Sequence, residues 1–171
     1  FKKKINTFFI GKIFGFSYFL SNLYWITHSL TFDDNFKIFI PFALIIIPLF
    51  LGLFYGLACL IIAFFNIKKD FSTILIFSTI FSLIEFLRSF ILGGFPWNII
   101  AYSWTNYLSF LQIISSVGTY AFNLLSITIF LFPFIFFFKI NYKSKFLITL
   151  FLSFLLISNQ IYGKWKVSEL E

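Results

Sequence analysis

The chain has 171 residues, of which 60% are hydrophobic and only 11% are charged, and its mean hydropathy is +0.98. Soluble domains carry about a quarter of charged residues, so this composition excludes a soluble protein and predicts an all-α integral membrane protein. The net charge of +7 reflects the placement of lysines in loops, as shown below, and no nucleic-acid partner is predicted.

Apolar runs along the chain predict a polytopic bundle of about five transmembrane helices. An α-helix rises 1.5 Å per residue, so about 20 apolar residues cross the hydrocarbon core of a bilayer. The predicted domain covers residues 1–162, and residues 163–171 form a polar tail. The predicted spans are residues 8–30, 38–65, 71–92, 110–138 and 146–161.

Two features of the second predicted span bear on how it packs. Pro48 lies inside the span and predicts a kink, because proline removes a helical hydrogen bond. Gly52 and Gly56 are four residues apart, which places two small residues on one face and favours close approach of another helix.

Lysines in the loops predict the orientation of the chain in the membrane. With five spans, eight lysines fall on one side and only Lys37 falls on the other before the tail. Loops rich in lysine stay in the cytoplasm. We therefore expect a cytoplasmic N-terminus and a periplasmic C-terminus. The eight are Lys2, Lys3, Lys4, Lys68, Lys69, Lys139, Lys143 and Lys145.

Two opposite charges lie inside the third predicted span. Glu85 and Arg88 are three residues apart, so a helix places them on one face. An ionised group near the bilayer centre costs roughly 2.5 to 3.5 kcal/mol even on the milder scales. They are candidates either for a lipid pocket, where the Arg88 guanidinium holds a phosphate, or for a structural pair that contacts Asn123 or only each other.

The segment after this helix is rich in aromatic residues and has no lysine or arginine over residues 93–109. Phe95, Pro96, Trp97 and Tyr102 are predicted to form an outer-face loop that lies along the membrane interface. The alternative interpretation of these side chains is an aromatic belt without a substrate contact.

No residue in the sequence forms a recognisable catalytic or metal site. The single cysteine, Cys59, lies among apolar residues with no base near it in sequence, which predicts an inert thiol. The single histidine, His28, cannot hold a metal without converging ligands from elsewhere. No cofactor is expected.

Several motifs occur in a characteristic order. They are Glu85-Phe86-Leu87-Arg88, then Gly94-Phe95-Pro96-Trp97, then Ala101-Tyr102-Ser103, with weaker matches over residues 15–26 and 118–123. This pattern resembles the membrane part of bacterial apolipoprotein N-acyltransferase. Ala101 stands where that family usually has glycine.

The resemblance implies a multi-pass enzyme of the bacterial inner membrane that matures lipoproteins. Such an acyltransferase moves an acyl chain from a phospholipid to the N-terminal diacylglyceryl-cysteine of a lipoprotein, so a phospholipid donor, a diacylglyceryl lipoprotein and the bilayer are the implied partners. The family carries a Glu-Lys-Cys triad in an outer, nitrilase-like domain. We expect that domain to follow the tail, outside this chain, and we expect the chain to be inactive alone.

Two other interpretations stay open from the sequence. A small polytopic transporter or channel subunit would also use intramembrane charges and helices interrupted by glycine or proline, but no internal repeat of the kind typical of transporters is present. A noncatalytic remnant of a split gene would share the fold and lack the function.

Overall fold

The computed structural model describes residues 2–65, 70–91, 93, 96 and 98–169, and these residues form helices and loops without strands. Short 3₁₀ helices cover Tyr24–Thr31, Asp34–Phe39, Ile100–Trp104 and Phe132–Phe137. The α-helices are α1 (Lys2–Leu23), α2 (Ile40–Ile62), α3 (Phe71–Ile91), α4 (Leu108–Leu111), α5 (Ile114–Val117), α6 (Thr119–Leu131) and α7 (Tyr142–Ser168). The all-α fold class predicted from composition is confirmed.

The chain divides into two compact units. The first consists of the described residues of Phe1–Asn66 and Leu83–Asn98, and the second of those of Ile67–Ser82 and Ile99–Glu171. The first unit therefore contains α1, α2 and the second half of α3. The second contains the first half of α3 and the helices α4 to α7.

Glycines allow α1 and α2 to pack closely in the first unit. A Cβ atom placed on Gly52 would lie 2.9 Å from the carbonyl oxygen of Lys12, and one placed on Gly15 would lie 2.9 Å from the Cα of Gly52. Side chains at these positions would collide with backbone. The close packing predicted for Gly52 and Gly56 is confirmed, and α2 continues through the buried Pro48.

Four helical segments of the described chain are long and apolar enough to cross a membrane: Asp34–Ile62, Phe71–Ile91, Thr119–Phe137 and Tyr142–Ser168. They coincide with four of the five predicted spans. The remaining one, residues 8–30, coincides with α1 and the 3₁₀ helix Tyr24–Thr31. Its hydropathy is lowered by Lys12 and by amide and hydroxyl side chains, and its crossing of the membrane stays a prediction.

The boundaries of the last two predicted spans differ from the helices in the structure. Residues 110–138 do not form one helix, because Gly118 adopts a φ of +83° and separates α5 from α6. The next helix is longer than predicted: α7 begins after the Asn141 cap and ends at Ser168. Residues 163–168 of the predicted tail are therefore helical.

Candidate functional site

The second half of α3 places the two intramembrane charges side by side. Glu85 and Arg88 are both fully buried, and Arg88 Nη2 lies 3.9 Å from Glu85 Oε1. This separation permits strong Coulombic attraction in a medium of low dielectric but exceeds an ordinary hydrogen bond. The pairing predicted from the spacing of three residues is present.

A tyrosine from α2 also contacts Glu85. The hydroxyl of Tyr55 donates a hydrogen bond of 2.7 Å to Glu85 Oε1, and Tyr55 itself is fully buried. No sequence pattern predicts this contact, because the two residues are 30 positions apart and a tyrosine in an apolar helix is usually interpreted as a packing residue.

Residues of α1 form the other side of this cluster. The Arg88 guanidinium lies 4.8 Å from the ring centroid of Phe19, which is a cation–π contact. The ring of Tyr18 stacks on Tyr55 with centroids 5.8 Å apart. The polar cluster is hereafter Tyr18, Phe19, Tyr55, Glu85 and Arg88.

The polar cluster reaches the loop that follows α3. The hydroxyl of Tyr18 donates a hydrogen bond of 3.2 Å to the carbonyl oxygen of Asn98. Asn98 has a φ of +44°, a left-handed conformation that asparagine tolerates better than most residues. Its side-chain Nδ2 is buried and has no hydrogen-bond partner among the described residues, so this loop holds a buried donor that sequence analysis did not identify.

The predicted outer-face loop is only partly described. Phe95 and Trp97 lie outside the described residues, while Pro96 is partly buried in irregular backbone. Tyr102 belongs to the second unit, in the 3₁₀ helix Ile100–Trp104, where it packs against a core of Ile99, Ala101 and Phe122.

Burial raises the pKa of the Tyr102 hydroxyl above its ordinary value, and the neighbouring Tyr120 adds to the increase. Tyr102 therefore remains a neutral phenol at physiological pH. In the same unit the backbone N–H of Ala101 donates a hydrogen bond of 2.9 Å to Asn123 Oδ1. This hydrogen bond from a backbone amide to Asn123 fixes the segment after the loop.

The remaining candidates, Cys59 and His28, are not members of the polar cluster. Cys59 is a free, half-buried thiol in α2, and His28 is exposed in the 3₁₀ helix Tyr24–Thr31. In the described part of the chain, histidine, cysteine and carboxylate side chains nowhere gather in a group of three or more that could hold a metal. Through its charges and hydrogen bonds, the polar cluster can bind a ligand or stabilise the packing of the helices.

The sequence model of the apolipoprotein N-acyltransferase N-terminal domain matches residues 2–132 of the chain. The chain belongs to this family. The match includes all the motifs noted above, and with the four long apolar helices it identifies a multi-pass protein of the bacterial inner membrane. All of α7 follows the matched region.

Curated relatives named apolipoprotein N-acyltransferase agree with the family match. The relative from Allorhizobium ampelinum is 35% identical over 129 residues, which are 75% of this chain and 24% of the relative. That from Brucella melitensis is 38% identical over 125 residues, 72% of this chain and 23% of the relative. That from Rickettsia prowazekii is 36% identical over 120 residues, 70% of this chain and 24% of the relative. The matched part of the chain thus corresponds to about a quarter of these relatives, and no solved structure matches it significantly.

Proposed function

We propose that this chain is the membrane part of an apolipoprotein N-acyltransferase, which transfers an acyl chain from a phospholipid to the α-amino group of a lipoprotein's N-terminal diacylglyceryl-cysteine. The observation that carries the proposal is the family match over residues 2–132. It also disfavours the transporter alternative, since the polar residues that motivated that alternative belong to the matched region.

In this proposal the Glu-Lys-Cys triad lies in a domain encoded beyond this chain. The single cysteine here, Cys59, is half-buried within α2, whereas acyl transfer needs a thiolate beside a base. The membrane part anchors the catalytic domain and admits the two lipid substrates.

The polar cluster and Asn98 form the proposed lipid pocket. The Arg88 guanidinium supplies a positive charge in the low-dielectric interior, where it attracts a lipid phosphate strongly. The buried Nδ2 of Asn98 supplies a donor for an ester carbonyl. Tyr55 and Glu85 orient Arg88 through the 2.7 Å hydrogen bond and the 3.9 Å charge contact.

Two preparations test the proposed function. The first is this chain alone in lipid vesicles with a diacylated lipopeptide, for which we expect no acyl transfer. The second is the product of the whole reading frame that contains this chain, for which we expect transfer of one acyl group. Transfer by the chain alone would refute the assignment of the triad to another domain, and inactivity of both would refute the enzyme assignment.

A variant of the whole gene product tests the lipid pocket. Arg88→Gln removes the charge proposed to hold the phosphate, and we expect kcat/KM for the phospholipid donor to fall about tenfold, as for the loss of one charged hydrogen bond. Lys164→Gln, on the exposed surface of α7, is the control and leaves kcat/KM unchanged. An unaltered kcat/KM in a correctly folded Arg88→Gln variant would refute the lipid pocket and would show that the polar cluster has a structural role only.

A further inference from the structure

A second polar feature lies in the second unit, where α7 packs against residues 108–117. Asn159 Nδ2 donates a hydrogen bond of 3.2 Å to the carbonyl oxygen of Phe110, and Ser109 Oγ donates one of 2.9 Å to Gln160 Oε1. A Cβ atom on Gly163 would overlap the carbonyl of Ser109. This close contact and its hydrogen bonds fix the register between α7 and the segment before it.

Four polar side chains meet where this contact ends, near the C-terminus of α7. Lys166 Nζ donates hydrogen bonds to Ser115 Oγ and, over 3.5 Å, to the hydroxyl of Tyr162. The hydroxyls of Ser116 and Tyr162 are 3.0 Å apart and share a hydrogen bond. This group of four is hereafter the Lys166 cluster.

The Lys166 cluster has more donors than its internal hydrogen bonds use. An ammonium has three N–H groups, and the structure gives Lys166 two acceptors. Ser116 and Tyr162 each have one hydroxyl proton, and the hydrogen bond between them uses only one of these two protons. Ser115 is already committed, because its hydroxyl donates to the Gln112 carbonyl oxygen. One ammonium N–H and one hydroxyl therefore remain for a ligand.

Among the described residues, the charge of the Lys166 cluster also has no carboxylate partner. The ion pairs found among the described residues are Lys37 with Asp34 and Arg88 with Glu85. Glu169 is the nearest described carboxylate along α7 and forms no ion pair with Lys166. Both acceptors of Lys166 are neutral hydroxyl oxygens, which leaves a positive charge and two donors available to an anion.

The position of the Lys166 cluster suits an anion at a membrane surface. Its Tyr162 and Lys166 lie in the last two turns of α7, a helix long and apolar enough to cross a bilayer, beside the exposed Trp165. Tryptophan and lysine at the end of a spanning helix are typical of the headgroup region. The ligand with a compact negative charge and several acceptor oxygens at that depth is a phosphate.

We propose that the Lys166 cluster binds a phosphate group, carried by an anionic phospholipid or free in solution. Phosphatidylglycerol is favoured over phosphatidylcholine, because the phosphate of phosphatidylcholine already has its own ammonium partner. The site is independent of acyl transfer, and its Tyr162 and Lys166 follow the family match, which ends at residue 132, whereas Ser115 and Ser116 lie within it.

Lipid retained by the purified chain tests this proposal. The chain is extracted from vesicles of equimolar phosphatidylglycerol and phosphatidylcholine, washed in detergent, and its bound lipids are quantified by mass spectrometry. We expect enrichment of phosphatidylglycerol. Lys166→Gln lowers that enrichment about fivefold, the factor that corresponds to about 1 kcal/mol for one lysine at an anionic surface.

Three further preparations make the test decisive. Lys164→Gln removes a neighbouring exposed lysine outside the cluster and lowers the enrichment less than about twofold, while Lys166→Arg keeps the charge and retains most of the enrichment. In the third preparation, the protein is washed with inorganic phosphate, and sodium chloride at equal ionic strength is the control. Loss of phosphatidylglycerol in phosphate shows that the cluster also binds free phosphate. Retention of phosphatidylglycerol shows that the cluster binds only the lipid headgroup. Equal enrichment in the wild-type chain and Lys166→Gln, or an equal loss in Lys164→Gln, would overturn the proposal.

Discussion

Burial of Glu85 and Arg88 makes each of them dependent on its contacts. Both side chains are inaccessible to solvent, and Arg88 Nη2 lies 3.9 Å from Glu85 Oε1. A buried pair adds little net stability relative to apolar residues, but removal of one member leaves an uncompensated charge that costs about 3 to 5 kcal/mol. The Tyr55 hydroxyl reduces this liability on the Glu85 side, since it satisfies one carboxylate oxygen.

Tyr55→Phe tests the hydrogen bond to Glu85. The change removes only the hydroxyl, and we expect the free energy of unfolding in detergent micelles to fall by about 1.5 to 3 kcal/mol, the value for a hydrogen bond to a charged group. Tyr24→Phe is the matched control, because Tyr24 is largely exposed, and its loss should be close to zero. Equal stabilities of the two variants would contradict the role assigned to Tyr55.

A double-mutant cycle tests the coupling between the two charges. Glu85→Gln and Arg88→Gln each leave one buried charge, so we expect each to lower the free energy of unfolding by about 3 kcal/mol or more. The double variant leaves neither charge, and its loss should be clearly smaller than the sum of the single losses. Additive losses would show that the two side chains act independently.

Contacts between individual side chains are the feature of this protein that its sequence predicts least completely. Glu85 and Arg88 were identified because charges are conspicuous in an apolar helix. Tyr55 and Asn98 were not, because their contacts join residues 30 and 80 positions apart and neither residue type is unusual where it occurs. Long-range partners of this kind depend on how the helices pack, which periodicity does not encode.

At the scale of whole elements, glycines decide how α1 and α2 meet. A Cβ on Gly52 meets the backbone of α1, at 2.9 Å from both Lys12 O and Phe16 N. A Cβ on Gly56 meets first the ring of Phe8, at 2.8 Å, and approaches backbone less closely, at 3.1 Å from the Phe8 carbonyl oxygen. A ring at the end of a side chain can rotate away, whereas helical backbone cannot move without separating the two helices.

These different neighbours predict different costs for the same substitution. We expect Gly52→Ala to lower the free energy of unfolding by about 1 to 3 kcal/mol through overpacking. We expect Gly56→Ala to cost less, since the helix preference of alanine over glycine, about 1 kcal/mol, offsets the displacement of the Phe8 ring. Thermal or denaturant unfolding of the two variants in the same micelles makes the comparison. A larger loss for Gly56→Ala would contradict the packing described.

Hydropathy identified most of the helices but misplaced several of their ends. Residues 110–138 are apolar throughout, so they suggested one long span, and the break at Gly118 depends on a φ of +83° that hydropathy does not register. The helix α7 likewise extends beyond its apolar run to Ser168, because the Lys166 cluster and the contact at Gly163 hold its polar last turns against residues 108–117.

At the scale of the whole molecule, the lysine distribution predicts the orientation in the membrane. In a Cys59→Ala background, a cysteine at Asn35 is expected to react with a membrane-impermeant maleimide added to the periplasmic side. A cysteine at Ser144, in the predicted cytoplasmic loop, is expected to react only after the membrane is permeabilised. Labelling of both positions from the same side would contradict the predicted topology.

The family assignment came from short motifs, and the family match confirms it. Motifs such as Glu85-Phe86-Leu87-Arg88 combine charges with aromatic residues in an order that composition alone does not produce. The activity of the whole protein is a proposal, because the match corresponds to about a quarter of each curated relative, 23–24% of its length.

The most direct test of the central claim is acyl transfer by the product of the whole reading frame. The purified protein, in vesicles that contain phospholipid, is incubated with a synthetic diacylated lipopeptide, and the peptide is analysed by mass spectrometry. We predict a product heavier by one acyl group, linked as an amide to the α-amino nitrogen of the N-terminal cysteine. An unmodified lipopeptide, under conditions in which an established apolipoprotein N-acyltransferase acylates it fully, would contradict the claim.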